Sequence, residues 1–233
     1  MSSALLICNR HARKYTASKI AEVRDVLASY GSIDEIETTL HRGVADIVER
    51  LNPAVTRVYA LGGDGTAGKV AGALTCTDIP LAIIPLGTTN VLARECRIPL
   101  HPIKAAHIMA RSKRTHRFHT WSTGSGTLLL SLGVGLDAKV MARTTTTAKR
   151  RWGLFAVAAA AFRELIRYDF PPIEVTGEDA RGQRFSAFAI SVLVSNAQRY
   201  TGERIIMPGA DPSDNLLDIL ISQPIMSYCV IRA

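Results

Sequence analysis

The chain has 233 residues and a mass of 25.2 kDa, with 47% hydrophobic and 21% charged residues, which excludes disordered and fibrous classes and leaves room for one large domain or two small ones. A formal net charge of +8 and a pI near 9.6 direct attention to anionic partners: nucleotide phosphates, nucleic acid or an acidic membrane surface. Two basic stretches, Lys104 to Arg117 and Lys139 to Arg151, do not interleave aromatic residues as stacking platforms, so nucleic-acid binding is disfavoured and a phospholipid surface fits better.

Ala4 to Cys8 is an apolar run too short for a signal-peptide core and reads as a first buried strand. Ile20, Val23, Leu27 and Tyr30 then recur at helical spacing. A second helix is marked by Val44, Ile47, Val48 and Leu51 and stopped by Asn52 and Pro53, after which Arg57 to Leu61 forms a short β-branched and apolar strand. Val70, Ala73 and Leu74 mark a further helix, Pro80 to Ile84 the next strand, and Pro102 suits the first turn of a helix over Ile103 to Ala110. Alternating strands and helices imply a parallel sheet with covered faces.

Past a basic loop at Arg111 to Arg117 strands dominate: Phe118 to Trp121, Thr127 to Val134, Ile173 to Thr176, Phe185 to Val194 and Leu216 to Ser222. One helical insertion, Trp152 to Tyr168, interrupts them and is stopped by Pro171 and Pro172. Its apolar core falls short of the roughly 20 residues that span a bilayer, so any membrane contact is expected to be peripheral. A domain boundary is expected near residue 115, giving an α/β domain over 1–115 and a β-rich domain over 116–233. Cys8, Cys76, Cys96 and Cys229 show no CxxC pair or metal spacing, which suits reduced thiols in a cytoplasmic protein.

Gly62, Gly63, Asp64, Gly65 and Thr66 follow a predicted strand and precede a predicted helix. Glycines leave no Cβ in the way, so backbone N–H groups can converge on phosphate oxygens while the helix N-terminus adds its positive end. The loop lacks the lysine of GxxxxGK[ST] and the spacing of GxGxxG, so neither a Walker-type ATPase nor a Rossmann dehydrogenase is indicated. Pro85, Leu86, Gly87, Thr88, Thr89 and Asn90 end the next strand, where ligands of open α/β sheets bind. Thr88 could donate its hydroxyl to a ligand, and Thr88 or Thr89 could equally cap a helix.

GGDGT followed by PLGTTNVLARE resembles the diacylglycerol kinase catalytic domain family, which includes bacterial diacylglycerol and related lipid kinases, sphingosine kinases and ceramide kinases. SLGVGLDA, Ser131 to Ala138, and SNAQRYTGERIIMPGADPSDNLLD, Ser195 to Asp218, are similar to two later segments of that family. NAD kinases share GGDGT, but PLGTTN and the later segments separate this chain from them. The resemblance implies a phosphofructokinase- or NAD kinase-like α/β nucleotide domain, a β-rich, sandwich-like second domain, and transfer of the γ-phosphate of ATP to the hydroxyl of diacylglycerol or a sphingoid-like lipid.

Carried over by position, the resemblance implies nucleotide contacts from Asn9, from Thr39, from Gly62, Gly63, Asp64, Gly65, Thr66, Ala67 and Gly68, and from Thr88, with Asp64 the catalytic candidate. It implies a Mg²⁺ site at Asp214 with Asp211 and Leu216 flanking it, and Asn215 replaces the usual glycine there, a mild change because asparagine also tolerates left-handed backbone. Asp64 is expected to be an exposed loop carboxylate that contributes little to the core. The family's C-terminal glutamate, the base for the acceptor hydroxyl, has no match before Ala233, so a truncated second domain and poor lipid phosphorylation are expected, with a homo-oligomer as one consequence. Two alternatives stay open: a nucleotide- or lipid-binding relative without turnover, and an NAD kinase-like enzyme acting on a soluble metabolite.

Overall fold

The computed structural model describes residues 3–10, 12, 16–38, 47, 49, 51, 53–124, 126–143, 159, 162, 163, 169–223 and 228–233. The chain divides into two compact units, Met1–Leu129 with Thr201–Glu203, and Leu130–Tyr200 with Arg204–Ala233.

In the first unit four parallel strands, β1 (Ser3–Asn9), β2 (Ser32–Thr38), β3 (Val55–Gly62) and β4 (Leu81–Pro85), lie in the order β2-β1-β3-β4. The side-chain period of two sends Leu6 and Cys8 of β1 to one face and Leu5 and Ile7 to the other, and all four are buried. The first face packs on α1 (Ala17–Ala28) through Ile20, Val23 and Leu27, as the helical spacing requires. The second packs on α2 (Asp64–Leu74) through Val70, Ala73 and Leu74. A short helix, α3 (Val91–Glu95), follows β4, and α4 (Pro102–Arg111) begins on its proline and buries Ala105 and Ala106 on the α1 side. Burial on both faces is what a parallel α/β sheet demands.

β2 was not legible from the pattern. Its isoleucines, Ile33 and Ile36, sit three apart among acidic residues in SIDEIET, so no strand alternation shows. The strand expected at Phe118 to Trp121 is corrected as well. Residues 112–120 carry no regular structure, and the pairing starts at β5 (Trp121–Thr123) with β6 (Gly126–Leu128).

The second unit holds β7 (Ser131–Gly135), α5 (Leu136–Arg143), β8 (Ile173–Glu178), β9 (Arg184–Ala189), β10 (Ser191–Ser195), β13 (Asp218–Ser222) and β14 (Tyr228–Arg232); the short pair β11 (Arg199–Thr201) and β12 (Arg204–Ile205) crosses the division. Strands β14-β13-β10-β7 form one antiparallel sheet, on which the β8–β9 hairpin packs through Ile173, Val175 and Ala187 over Val192 and Ile221. The strand read over Phe185 to Val194 is two strands broken at Ile190, the one read over Thr127 to Val134 is likewise β6 and β7 broken at Leu129 and Leu130, and α5 follows β7 where the sequence reading placed no helix. The helices expected at Val44 to Leu51 and Trp152 to Tyr168 fall almost wholly outside the described residues.

Candidate functional site

The order β2-β1-β3-β4 places a topological switch between β1 and β3, because the chain leaves β1 toward β2 and leaves β3 toward β4. Crevices at the carboxyl ends of such strands receive ligands. Asn9 ends β1, Gly62 ends β3 and Pro85 ends β4, so the strand ends that carry candidate nucleotide contacts are gathered there by topology.

Two glycines make the loops meet. A Cβ on Gly87 would lie 2.7 Å from the Gly63 Cα and 2.7 Å from the Asn90 Oδ1, so nothing larger than hydrogen fits. The Leu86 N–H donates to the Gly62 carbonyl at 2.7 Å and completes the junction. Gly65 and Gly68, by contrast, have nothing within 4 Å of a built Cβ, which leaves an open face at the start of α2. That helix has Gly63 at its N-cap with no side chain satisfying the first turn, so its free N–H groups and positive end suit an anion. Phosphate groups therefore fit this cradle.

Asn9 donates from Nδ2 to the Thr66 hydroxyl at 2.9 Å, tying the end of β1 to the glycine loop, and Thr66 is buried. Asp64 departs from the expectation of an exposed carboxylate. It is half-buried, its Oδ2 accepts from the Thr89 hydroxyl at 3.0 Å, and its Oδ1 accepts from the Leu92 N–H at 2.9 Å. One carboxylate thus links the two motifs and serves the start of α3. Asn90, the N-cap of α3, takes left-handed φ 47° and ψ 52°, and its amide grips the Gly87 peptide in both directions, accepting from N at 2.8 Å and donating to O at 3.1 Å. Arg94 donates from Nε to the Thr89 carbonyl at 3.0 Å and from Nη1 to Glu203 Oε1 at 2.5 Å. The Thr88 hydroxyl has no hydrogen bond among the described residues, while Thr39 falls outside them.

Asp211, Asp214 and Leu216 lie in the second unit. Asp211 Oδ1 accepts from both the N–H and the hydroxyl of Ser213, and these bonds hold its carboxyl below the usual range. Asp214 accepts from the Leu216 N–H at 2.9 Å, and its second oxygen pairs with the Arg232 guanidinium. Asn215 adopts φ 61°, the left-handed conformation its place in the motif asks for. With Arg232 already on Asp214, these residues do not fit a divalent cation as arranged, and among the described residues no group of three or more His, Cys, Asp or Glu side chains gathers to hold a metal. Burial pushes the thiols of Cys8 and Cys96 up to about 11, so neither offers a thiolate nucleophile near neutral pH.

Arg94 and Glu203 escaped the sequence reading, while Thr89 and Asn90 lay in the loop it placed at the crevice but without the partners the structure gives them. Asn90 carried a signal, since asparagine after threonines at a strand end suits a left-handed cap, whereas Arg94 and Glu203 are too far apart in sequence to suggest each other.

Among the described residues no helix is long and apolar enough to cross a membrane. The diacylglycerol kinase catalytic domain family matches residues 3–121, and the YegS C-terminal NAD kinase beta sandwich-like domain matches residues 131–233. These matches give no support to the expected loss of a C-terminal catalytic segment. The chain is 31% identical over 226 residues to a diacylglycerol kinase of Mycobacterium tuberculosis, covering 85% of this chain and 68% of that one. It is 28% identical over 210 residues to a Pseudomonas putida protein named "Probable lipid kinase YegS-like", covering 88% of this chain and 68% of the relative. A crystal structure of a diacylglycerol kinase from Bacillus anthracis shares the fold, with a TM-score of 0.72 at 21% identity over 95% of this chain and 73% of that one. This chain belongs to the diacylglycerol kinase catalytic domain family, carried on an α/β unit with a parallel sheet and followed by a β sandwich-like part.

Proposed function

We propose that this chain transfers the γ-phosphate of ATP to the hydroxyl of a lipid, diacylglycerol or a sphingoid-like alcohol, at an anionic membrane surface. The observation that carries this reading is the pair of glycine loops packed on each other at Gly63 and Gly87, with the face of Gly65 and Gly68 left open at a helix N-terminus. Phosphoryl transfer asks a protein for positioning and charge stabilisation more than for covalent chemistry. Within the Gly62 to Gly68 loop the N–H groups of Asp64 and Gly65 at the start of α2 would cradle phosphates, since those of Thr66 and Ala67 already donate to the Gly63 carbonyl. The Thr88 hydroxyl, unengaged among the described residues, would donate to the nucleotide. Asn9 holds Thr66 in the cradle, and Thr39 completes the nucleotide set in this assignment. Asp64, with both oxygens bonded to the second loop, is a positioning residue here: it fixes Thr89 and the start of α3 so that Thr88 faces the ligand. Nucleotide binding is assigned to 1–115 and acceptor binding to 116–233.

The test is transfer of label from ATP to a panel holding diacylglycerol, a sphingoid base and NAD, run beside calorimetric titration with ATP. Label on one of the lipids is the expected result. Label on NAD, or ATP binding without transfer to any acceptor, would replace this reading with one of the two alternatives, and an absence of ATP binding would remove it.

A further inference from the structure

Between Glu95 and Asp137 the sequence contains no acidic residue, and five of the six lysines and arginines of that interval fall between Lys104 and Arg117. α4 turns Ala105 and Ala106 into the core, so its opposite face presents Lys104, His107, Ile108 and Arg111 at helical spacing. Residues 112–120 continue it as an irregular strap on which Lys113, Arg114, His116 and Arg117 are exposed. Among the described residues none of Lys104, Arg111, Lys113, Arg114 and Arg117 has a carboxylate partner. The surface is held in place: Arg57 donates to the carbonyls of Met109, Ala110 and Ser112, which fixes the end of α4 and the start of the strap. Two apolar or amphipathic groups interrupt the cations, Ile108 at 46% exposure and Tyr30 at 44%, the latter bonded edge-on to His107.

From this arrangement we infer that α4 and the strap dock the protein on an anionic lipid bilayer. The inference rests on the proposed lipid-kinase reading for its biological sense but not for its chemistry. Clustered cations around an exposed aliphatic group and a tyrosine match the interface of an acidic membrane, where the charges meet headgroups and the apolar groups enter the acyl boundary. Single-stranded nucleic acid would want open aromatic faces, and here Phe118 and Trp121 are half-buried while Tyr30 is engaged by His107.

The experiment is sedimentation of the full chain with vesicles of phosphatidylglycerol and phosphatidylcholine in equal parts, and of phosphatidylcholine alone, at low and high salt. Binding to the anionic vesicles that weakens with salt is expected, since the screening length falls from about 10 Å at 0.1 M to about 3 Å at 1 M. The triple variant K113Q/R114Q/R117Q should lower the partition coefficient by about 100-fold. A charge-matched control, R181Q/R184Q/R204Q, takes exposed arginines from the other unit and should lose far less. Equal losses in the two variants, binding indifferent to lipid charge or salt, or displacement from vesicles by a single-stranded RNA would overturn the inference. Phosphorylation of a water-soluble short-chain diacylglycerol separates the two readings. Strap variants that bind vesicles poorly yet keep that activity support the surface and the kinase together, while normal vesicle binding with no phosphorylation sinks the kinase reading alone.

Discussion

Replacing Asp64 by alanine removes the acceptors of two hydrogen bonds at once, the Thr89 hydroxyl at 3.0 Å and the Leu92 N–H at 2.9 Å. Bonds to an ionised acceptor contribute about 1.5–3 kcal/mol each. The two losses differ in kind. Thr89 is half-exposed and its hydroxyl can turn to water, whereas Leu92 is only 3% exposed and its N–H loses its partner in a buried turn, which costs about 1–3 kcal/mol. Asp64→Ala should therefore destabilise the chain by about 2–4 kcal/mol, and Asp64→Asn, which keeps one acceptor oxygen, by about half as much. Urea unfolding monitored by circular dichroism reads this as a lowered midpoint at unchanged slope. Calorimetry should show ATP affinity falling in the same order, because the loop carrying Thr88 is released. A stability loss under about 0.5 kcal/mol in the alanine variant would refute the clamp, since that is the range of an ordinary surface substitution.

Gly65 and Gly87 separate space for ligand from space for packing. Gly65→Ala adds a Cβ where nothing lies within 4 Å and helix propensity gains about 1 kcal/mol, so stability should hold or rise while ATP affinity falls about tenfold; unchanged affinity would place the phosphates elsewhere. Gly87→Ala meets the Gly63 backbone at 2.7 Å and should cost about 1–3 kcal/mol in urea unfolding, with a wild-type midpoint counting against the loop junction. Asp218 is buried on β13 opposite Arg232, and its carboxyl is raised by burial, with Arg232 opposing the rise and Asp214 adding to it. Because the folded value lies above the unfolded one, the stability this group contributes is fully present below the unfolded pKa and is lost as pH rises through the folded one. Asp218→Asn, always uncharged, should therefore melt higher than the parent near pH 7, with the difference closing as pH falls through the carboxylate range, and a difference independent of pH would contradict the assignment.

The first unit was largely legible because its signals are local. Strand ends followed by glycine, apolar residues at period 3.6 in α1 and α2, and Pro102 opening α4 each follow from a few neighbouring side chains. β2 escaped because a parallel edge strand need not alternate, and its acidic sequence shows only two isoleucines at a spacing that also suits a helix. The second unit was legible as strand-rich but not in its boundaries: β11 and β12 are three and two residues long, too short for a pattern to form. At the site, the glycines and Thr66 could be read from sequence, since the phosphate loop is one continuous segment. The engagement of Asp64 could not. Its partners lie 25 and 28 residues on, and only the return of the chain through β4 brings them back.

That return explains why a threonine- and glycine-rich loop can hold a fixed shape. Among the described residues, residues 86–90 have no ladder partners beyond the Leu86 N–H, and a segment of such composition would ordinarily sample many conformations. Three polar side chains remove that freedom, each acting on a different backbone or hydroxyl group. Asn90 grips the Gly87 peptide, Asp64 takes the Thr89 hydroxyl, and Arg94 takes the Thr89 carbonyl. Thr88 sits between the gripped groups with its own hydroxyl unengaged among the described residues, so the constraint falls on the neighbours and leaves this hydroxyl available. Such preorganisation spares a bound ligand the entropy of ordering the loop, which is where a positioning residue contributes most. The three anchors differ in how replaceable they are. Arg94 shares its charge with Glu203, which is 84% exposed, so this pair stands in high dielectric and contributes little alone. Asn90 is 3% exposed and left-handed, a conformation that alanine adopts poorly, and its amide both donates and accepts. Of the three it has the fewest substitutes: aspartate offers no donor for the Gly87 carbonyl, and glycine keeps the backbone conformation but loses both bonds.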